Sequence, residues 1–169
     1  MRAKTKLRLA RLLNQLEATA RDYIAQGHEH VPQIMGLRLV HDHYTVHTIM
    51  LAPGFNTDAE KDALAEFMGK LVEPFDAYIH ICEGWMLILP AGTDPNSDLP
   101  RPSLHPDRIE TLYIHFVTKL GEELLRSWKI VRPAEGKPYL ERFKDSEEPA
   151  HGRFANFYRY TVPESSGEA

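Results

Sequence analysis

Residues 37–51 read LRLVHDHYTVHTIML, and this stretch decides the fold class. Its β-branched and aromatic side chains are typical of a strand, and the Pro-Gly pair at 53–54 ends it. Its length fits either one strand or two strands joined by a bend. It also contains His41, His43 and His47 within seven positions, which raises the question of a metal site.

Helical periodicity flanks this stretch on both sides. Apolar side chains recur at helical spacing from about residue 5 to 26, and Gly27 stands just past the end, which predicts a first helix. Thr57 and Glu60 fit a capping box for a second helix, and Pro74 marks its end. The apolar stripe predicted for the second helix consists of Leu64, Phe67, Met68, Leu71, Val72 and Phe75.

Strand-like composition returns after the second helix. The predicted strands cover residues 77–89, 111–119, 124–131 and 139–143, and the last two flank Pro133-Ala-Glu-Gly136 as a β-hairpin. The aromatic segment 154–162 is a candidate final strand.

This order of elements predicts an α+β fold. We expect two helices on one face of a mostly antiparallel sheet of five to six strands. Residues 44–89 have the order of a β-α-β crossover. The length of 169 residues suits a single domain, which we place at 1–163, followed by a disordered tail at 164–169.

The amino-acid composition limits the cellular compartment and the classes of partner that can be expected. Cys82 is the single cysteine, which excludes an internal disulfide and predicts a reducing, cytoplasmic compartment. No apolar run approaches the length of a membrane span, so no membrane association is expected. The net charge of −4 gives the whole molecule no general attraction for nucleic acid.

Charge is nevertheless unevenly distributed. Five bases precede the first acid, Glu17, and such a run marks either a nucleic-acid arm or the solvated face of a helix. We favour the interpretation as the solvated face of a helix, because no motif for nucleic-acid recognition accompanies the charge. The five bases are Arg2, Lys4, Lys6, Arg8 and Arg11.

A histidine-based metal site is the first chemical hypothesis. In one strand, His41 and His43 would share a face about 6–7 Å apart, which suits two ligands of one ion. His80 and Cys82 form a second such pair, and if the two strands were neighbours the four side chains would surround a zinc ion. The favoured alternative is a polar strand face whose imidazoles form local hydrogen bonds.

Part of the chain resembles the cupin family. The first cupin motif is matched by Gly36, His41, His43, His47 and Gly54, and the start of the second by Gly84, Pro90 and Gly92. The resemblance implies a β-barrel and a metal-dependent enzyme. His47 stands where an acid is usual, and Pro95 takes the place of the second motif's histidine.

Residues 90–107 contain five prolines, which exclude a helix or an inner strand. Loops of this length in a compact domain are commonly functional. The loop leads into RPSLHPDRIE at 101–110, which has the residue types of a Ser-His-Asp triad. Triads are assembled from separated segments, so a local turn is the favoured alternative. Candidate binding residues are Trp85, Arg101, Ser103, His105, Asp107 and Arg108.

Glu83 lies on an otherwise apolar strand face, so we expect it to pair with a base, Arg108 or Arg126. Glu83 and Trp85, followed by S-x-x-P-D-R-x-E at 103–110, are similar to small prokaryotic and phage proteins of uncharacterised function. This resemblance covers about residues 77–120 and implies no activity.

Three functions follow, in order of preference. The first is a non-enzymatic accessory or protein-interaction module, encoded by a phage or mobile element, with a protein partner or a second copy as ligand. The absence of a P-loop, G-x-G-x-x-G, C-x-x-C and H-E-x-x-H favours it. The second is a small metal-dependent enzyme that uses His41 and His43. The third is a nucleic-acid-associated protein that uses the basic first helix.

Overall fold

A computed structural model describes residues 3–30, 32–41, 43–50, 58–87, 104–143 and 158. The candidate strand at 154–162, apart from residue 158, and the tail at 164–169 lie outside the described residues. The elements are α1 (Ala3–Ala25), β1 (Gln33–Val40), β2 (His43–Met50), α2 (Asp58–Val72), β3 (Ala77–Met86), β4 (Ile109–Thr118), β5 (Glu123–Val131) and β6 (Tyr139–Arg142).

The six strands form one sheet in the order β2-β1-β3-β4-β5-β6, with every neighbouring pair antiparallel. β1 and β2 form a hairpin, and β3 to β6 form a meander. Because β2 and β3 are both antiparallel to β1, they run parallel to each other and α2 connects them. The α+β class and the crossover are therefore confirmed, with β1 lying between the two crossover strands.

The two helices pack on opposite faces of the sheet, so the prediction of a single covered face is wrong. α1 packs against Leu37 and Ile79, whereas α2 packs against Ile34 and Tyr78. Successive strand side chains point to opposite faces, so these alternating positions define an α1 face and an α2 face. The first five residues of β3 are all buried, as expected for a strand that is covered on both sides.

α1 ends where its sequence predicts. Gly27 has a φ of 80°, and its N–H donates to the carbonyl of Ile24 at 2.8 Å. The N–H of His28 donates to the carbonyl of Tyr23 at 3.3 Å. These two bonds form a Schellman motif, which satisfies helix carbonyls that would otherwise lack a donor.

His41 has a φ of 47° and lies in the turn between β1 and β2, so the two-strand alternative for this stretch is confirmed, and the single strand that would place His41 and His43 on one face is wrong. One further local expectation needs correction. Phe67 is 58% exposed and does not belong to the buried stripe of α2. Among the described residues, no helix is long and apolar enough to cross a membrane.

Candidate functional site

Several candidate residues meet at one end of the sheet, where β3 ends and β4 begins. Trp85 of β3 pairs in register with Glu110 of β4, and Glu83 lies two residues earlier on the same face as Trp85. Arg108 directly precedes β4, and Arg132 directly follows β5. We call these five residues, Glu83, Trp85, Arg108, Glu110 and Arg132, the Trp85 site.

Arg132 is the charged centre of this site. Its Nε lies 3.1 and 3.2 Å from the two carboxylate oxygens of Glu110, and its Nη2 lies 2.9 Å from Oε1 of the same residue. Its Nη2 also lies 3.7 Å from Oε2 of Glu83. The planar guanidinium thus bridges two carboxylates, an arrangement that fixes both in orientation.

Glu83 therefore has a different partner from the one expected. Arg132 forms the ion pair, while Arg126 donates to Oδ1 of Asn14 at 2.8 Å. Glu83 also accepts a hydrogen bond from the backbone N–H of His30. Burial raises the pKa of Glu83, and the His30 N–H and the Arg132 guanidinium oppose that rise.

Arg108 stacks on Trp85. Its guanidinium carbon lies 4.5 Å from the centroid of the Trp85 ring, a cation–π arrangement. Trp85 remains 44% exposed, so part of the ring faces solvent. Trp128, the second tryptophan, is fully buried on the α1 face and does not contribute to this surface.

His105 and Asp107 form a local turn beside the Trp85 site. The N–H of Asp107 donates to Nδ1 of His105 at 3.1 Å, and the N–H of Arg108 donates to the His105 carbonyl at 3.2 Å. The local-turn alternative accounts for both residues. Arg101 and Ser103 lie outside the described residues, as do residues 88–100 of the proline-rich loop.

The proposed zinc ligands are not brought together. His43 pairs with Val40 and His80 pairs with Ile34, so the two histidines are offset by six residues along β1 and lie on opposite sides of it. Six residues of strand span about 20 Å, far beyond the size of a metal site. Within the described ranges, no group of three or more His, Cys, Asp and Glu side chains is arranged to hold a metal ion.

The remaining histidines have separate local contacts. Nδ1 of His43 lies 3.3 Å from the carbonyl oxygen of His41, in agreement with the local hydrogen-bonding alternative. The ring of His47 lies 5.8 Å from the ring of Phe75. The described sheet has two edges, β2 and β6, so these residues do not form the barrel that the cupin resemblance implies.

His80 and Cys82 belong instead to a buried polar group on the α2 face. His80 pairs across strands with His115, and Nε2 of His115 lies 3.2 Å from Oε2 of Glu123. The ring of Tyr113 lies 5.3 Å from that of His80 in an edge-to-face contact. The alternation of polar and aromatic residues at 78, 80 and 82 and at 113 and 115 was the sequence signal for this group, and it was missed.

Burial controls the ionisation of this group. It lowers the pKa of His80 to about 3, with the neighbouring His115 as a second cause. It also lowers the pKa of His115, against the opposing effect of Glu123. It raises the pKa of Cys82 to about 11, and a thiol of that kind is protonated and unreactive at neutral pH. The group is therefore neutral at its histidines and thiol.

Comparison with protein-family models, with curated proteins and with solved structures found no significant match. The function is accordingly argued from the chemistry and geometry of the described residues.

Proposed function

We propose that this chain is a protein-interaction module without catalytic chemistry of its own, and that it docks its partner at the Trp85 site. The observation that carries the proposal is the Trp85 ring, 44% exposed and stacked by Arg108. Tryptophan and arginine are the residues most enriched among the anchors of protein interfaces. A large aromatic surface that is held in place and half open to solvent is suited to a partner's pocket.

The framework around Trp85 supports this role because it is rigid. Trp85 lies on β3, which pairs with β4 along its whole length and with β1 over residues 77–81, and the bidentate Arg132–Glu110 contact joins the end of β5 to β4. A side chain that is already ordered loses less conformational entropy when a partner binds. The rim of charged groups also supplies orientation and partner selection.

Catalysis is disfavoured by how the titratable groups are used. The carboxylate of Glu83 is engaged by Arg132 and by the N–H of His30, and Glu110 is held by Arg132. His105 accepts a hydrogen bond from its own turn. A general acid or base must be able to reach a substrate proton, whereas each of these groups is already hydrogen-bonded or ion-paired within the chain.

Site-specific photo-crosslinking tests the proposal in cells. A benzophenone amino acid at residue 85 should capture a protein partner, whereas the same group at residue 139 should not, since Tyr139 is similarly exposed at 52% but lies on β6. Arg108→Ala should reduce the adduct at residue 85, because the variant removes the stacked cation.

Other crosslinking products would identify a different partner or contradict the proposal. An adduct of twice the mass of the chain would identify a second copy as the partner. Capture of nucleic acid in place of protein would contradict the proposal, as would an absence of any adduct or equal capture from residues 85 and 139.

A further inference from the structure

The two edges of the sheet are built differently. β6 is only four residues long and contains Glu141 and Arg142, which are features that discourage pairing with another strand. β2 is eight residues long, reads HYTVHTIM, and contains no proline, lysine, arginine or acid. Among the residues that the structure describes, β1 is the strand paired to β2, and the outer side of β2 has no strand neighbour. Within the described part of the chain, β2 is therefore an edge without the usual protection.

A groove runs along this edge on the α1 face. Its volume is about 380 Å³, and it lies between α1 and β2. Val46, which is 39% exposed, contributes an apolar wall that is open to solvent. The groove is lined by Arg8, Leu9, Leu12, His43, Tyr44 and Val46.

Arg8 brings positive charge to the groove, and two further bases follow on the same side of α1. Lys4, Arg8 and Arg11 are spaced by four and three residues, so they lie on one side of α1, the side on which Arg8 reaches the groove. Among the described residues, none of the three has a side-chain ion pair or hydrogen bond. Glu17, the first acid of the helix, is already engaged by Arg21 and Arg126.

We infer that the β2 edge and the α1–β2 groove bind an extended acidic segment of a partner protein. The segment adds to β2 as a further strand and satisfies the outer backbone groups of β2. Its apolar side chains enter the groove, and its carboxylates lie near Lys4, Arg8 and Arg11. The ligand class is thus a strand-forming sequence that combines acidic with apolar residues.

Charge selects this occupant over a second copy of the chain. Antiparallel pairing of β2 with another β2 would place both α1 helices on the same face of the joined sheet. The basic halves of the two helices would then border one interface and repel each other. An acidic strand meets the same edge with charge complementarity. This site shares no residue with the Trp85 site, and the inference does not rest on the proposed function.

Designed peptides test the inference on the full chain. A fluorescein-labelled peptide that alternates Glu and Val is compared by anisotropy with a Lys-Val peptide and with a Glu-Val peptide whose central valines are prolines. We expect the acidic peptide to bind at least about tenfold more tightly than either control, and more weakly as salt rises. Its amide shifts on the wild-type protein should map to β2 and to the first half of α1.

Matched variants separate the contributions. Arg8→Glu should weaken binding by about tenfold or more, whereas Lys129→Glu, the same charge change at an exposed residue of β5, should have little effect. Arg108→Ala should leave the peptide affinity unchanged, which distinguishes this site from the Trp85 site.

Several results would overturn the inference. These are equal affinity for the Glu and Lys peptides, no binding at millimolar peptide, or amide shifts that lie outside β2 and α1. Equal competition by a single-stranded oligonucleotide would indicate a general anion surface. A wild-type dimer in sedimentation that Val46→Asp dissociates would assign the edge to a second copy.

Discussion

The backbone of Gly36 lies directly against the ring of Phe75, so that a β-carbon at residue 36 would fall 2.5 Å from two ring carbons. Phe75 lies in the connection between α2 and β3, and its ring also contacts His47 and Arg38. The missing side chain at residue 36 therefore lets this connection close on β1. Gly36 is one of the residues of the cupin resemblance, and here its packing alone explains a glycine.

Gly36→Ala should destabilise the fold by about 1–3 kcal/mol, because the added methyl group forces the Phe75 ring to move. Urea denaturation measures this loss. In Gly36→Ala/Phe75→Ala the clash is absent, so the combined loss should be smaller than the sum of the single losses. Gly84→Ala is the matched control, since its β-carbon would lie 3.7 Å from Tyr113, an ordinary contact. Strictly additive losses would contradict the packing argument.

His80 should make the fold sensitive to acid. Its pKa is lowered from 6.5 to about 3 in the folded protein, so the unfolded chain binds its proton first as pH falls. The stability contributed by neutral His80 is complete above pH 6.5 and is lost progressively as pH falls from 6.5 toward 3. By pH 5 the loss should be about 2 kcal/mol, at 1.36 kcal/mol per pH unit.

Denaturation curves across this pH range test the prediction. His80→Leu should flatten the pH dependence of the free energy of unfolding, although burial of His115 lowers its pKa and leaves a remaining slope of the same sign. His28→Ala is the control, because it removes an exposed histidine that is not among the causes of the His80 shift. An equally steep slope in His80→Leu would show that His80 is not the responsible group.

The sequence predicted the elements well because local periodicity and end signals determine them. The apolar period and Gly27 correctly located α1 and its end, and the strand composition located β3 to β6. The side of the sheet that each helix covers was not predictable in the same way. β1 and β3 contain consecutive buried residues, and such runs have no polar face to indicate where a helix packs.

The candidate site was predicted only in part, because its pairings depend on register between distant strands. Trp85 and Arg108 were both named as candidate binding residues and are in contact in the structure, whereas the partner of Glu83 was not identified. Arg132 reaches Glu83 because β4 aligns the end of β5 with the end of β3. Likewise, the spacing of His41 and His43 suggested one strand face, but the positive φ of His41 places it in a turn. Histidine is enriched in this conformation among non-glycine residues.

Arg132→Ala should raise the pKa of Glu83 further. The Arg132 guanidinium is one of the two groups that lower this pKa, so its removal leaves burial opposed by the His30 N–H alone. NMR titration of the Glu83 side-chain carboxyl carbon measures the change. Arg108→Ala provides a control, because Arg108 stacks on Trp85 and is not among the causes of the Glu83 shift. An unchanged or lowered pKa in Arg132→Ala would refute the assigned ion pair.

Substitution by alanine should change the free energy of unfolding by very different amounts at the two tryptophans, because Trp128 is 0% exposed and Trp85 is 44% exposed. Trp128→Ala should cost about 3–5 kcal/mol, as it empties a large volume in the core beneath α1. Trp85→Ala should change stability far less, within about 1 kcal/mol, since its ring already faces solvent on one side.

Single-tryptophan variants, in which phenylalanine replaces the other tryptophan, give an independent measurement. Acrylamide should quench the fluorescence of Trp85 readily and that of Trp128 poorly. Comparable quenching of both residues, or a large loss of stability in Trp85→Ala, would mean that Trp85 is a core residue, and the proposed docking surface would then lose its anchor.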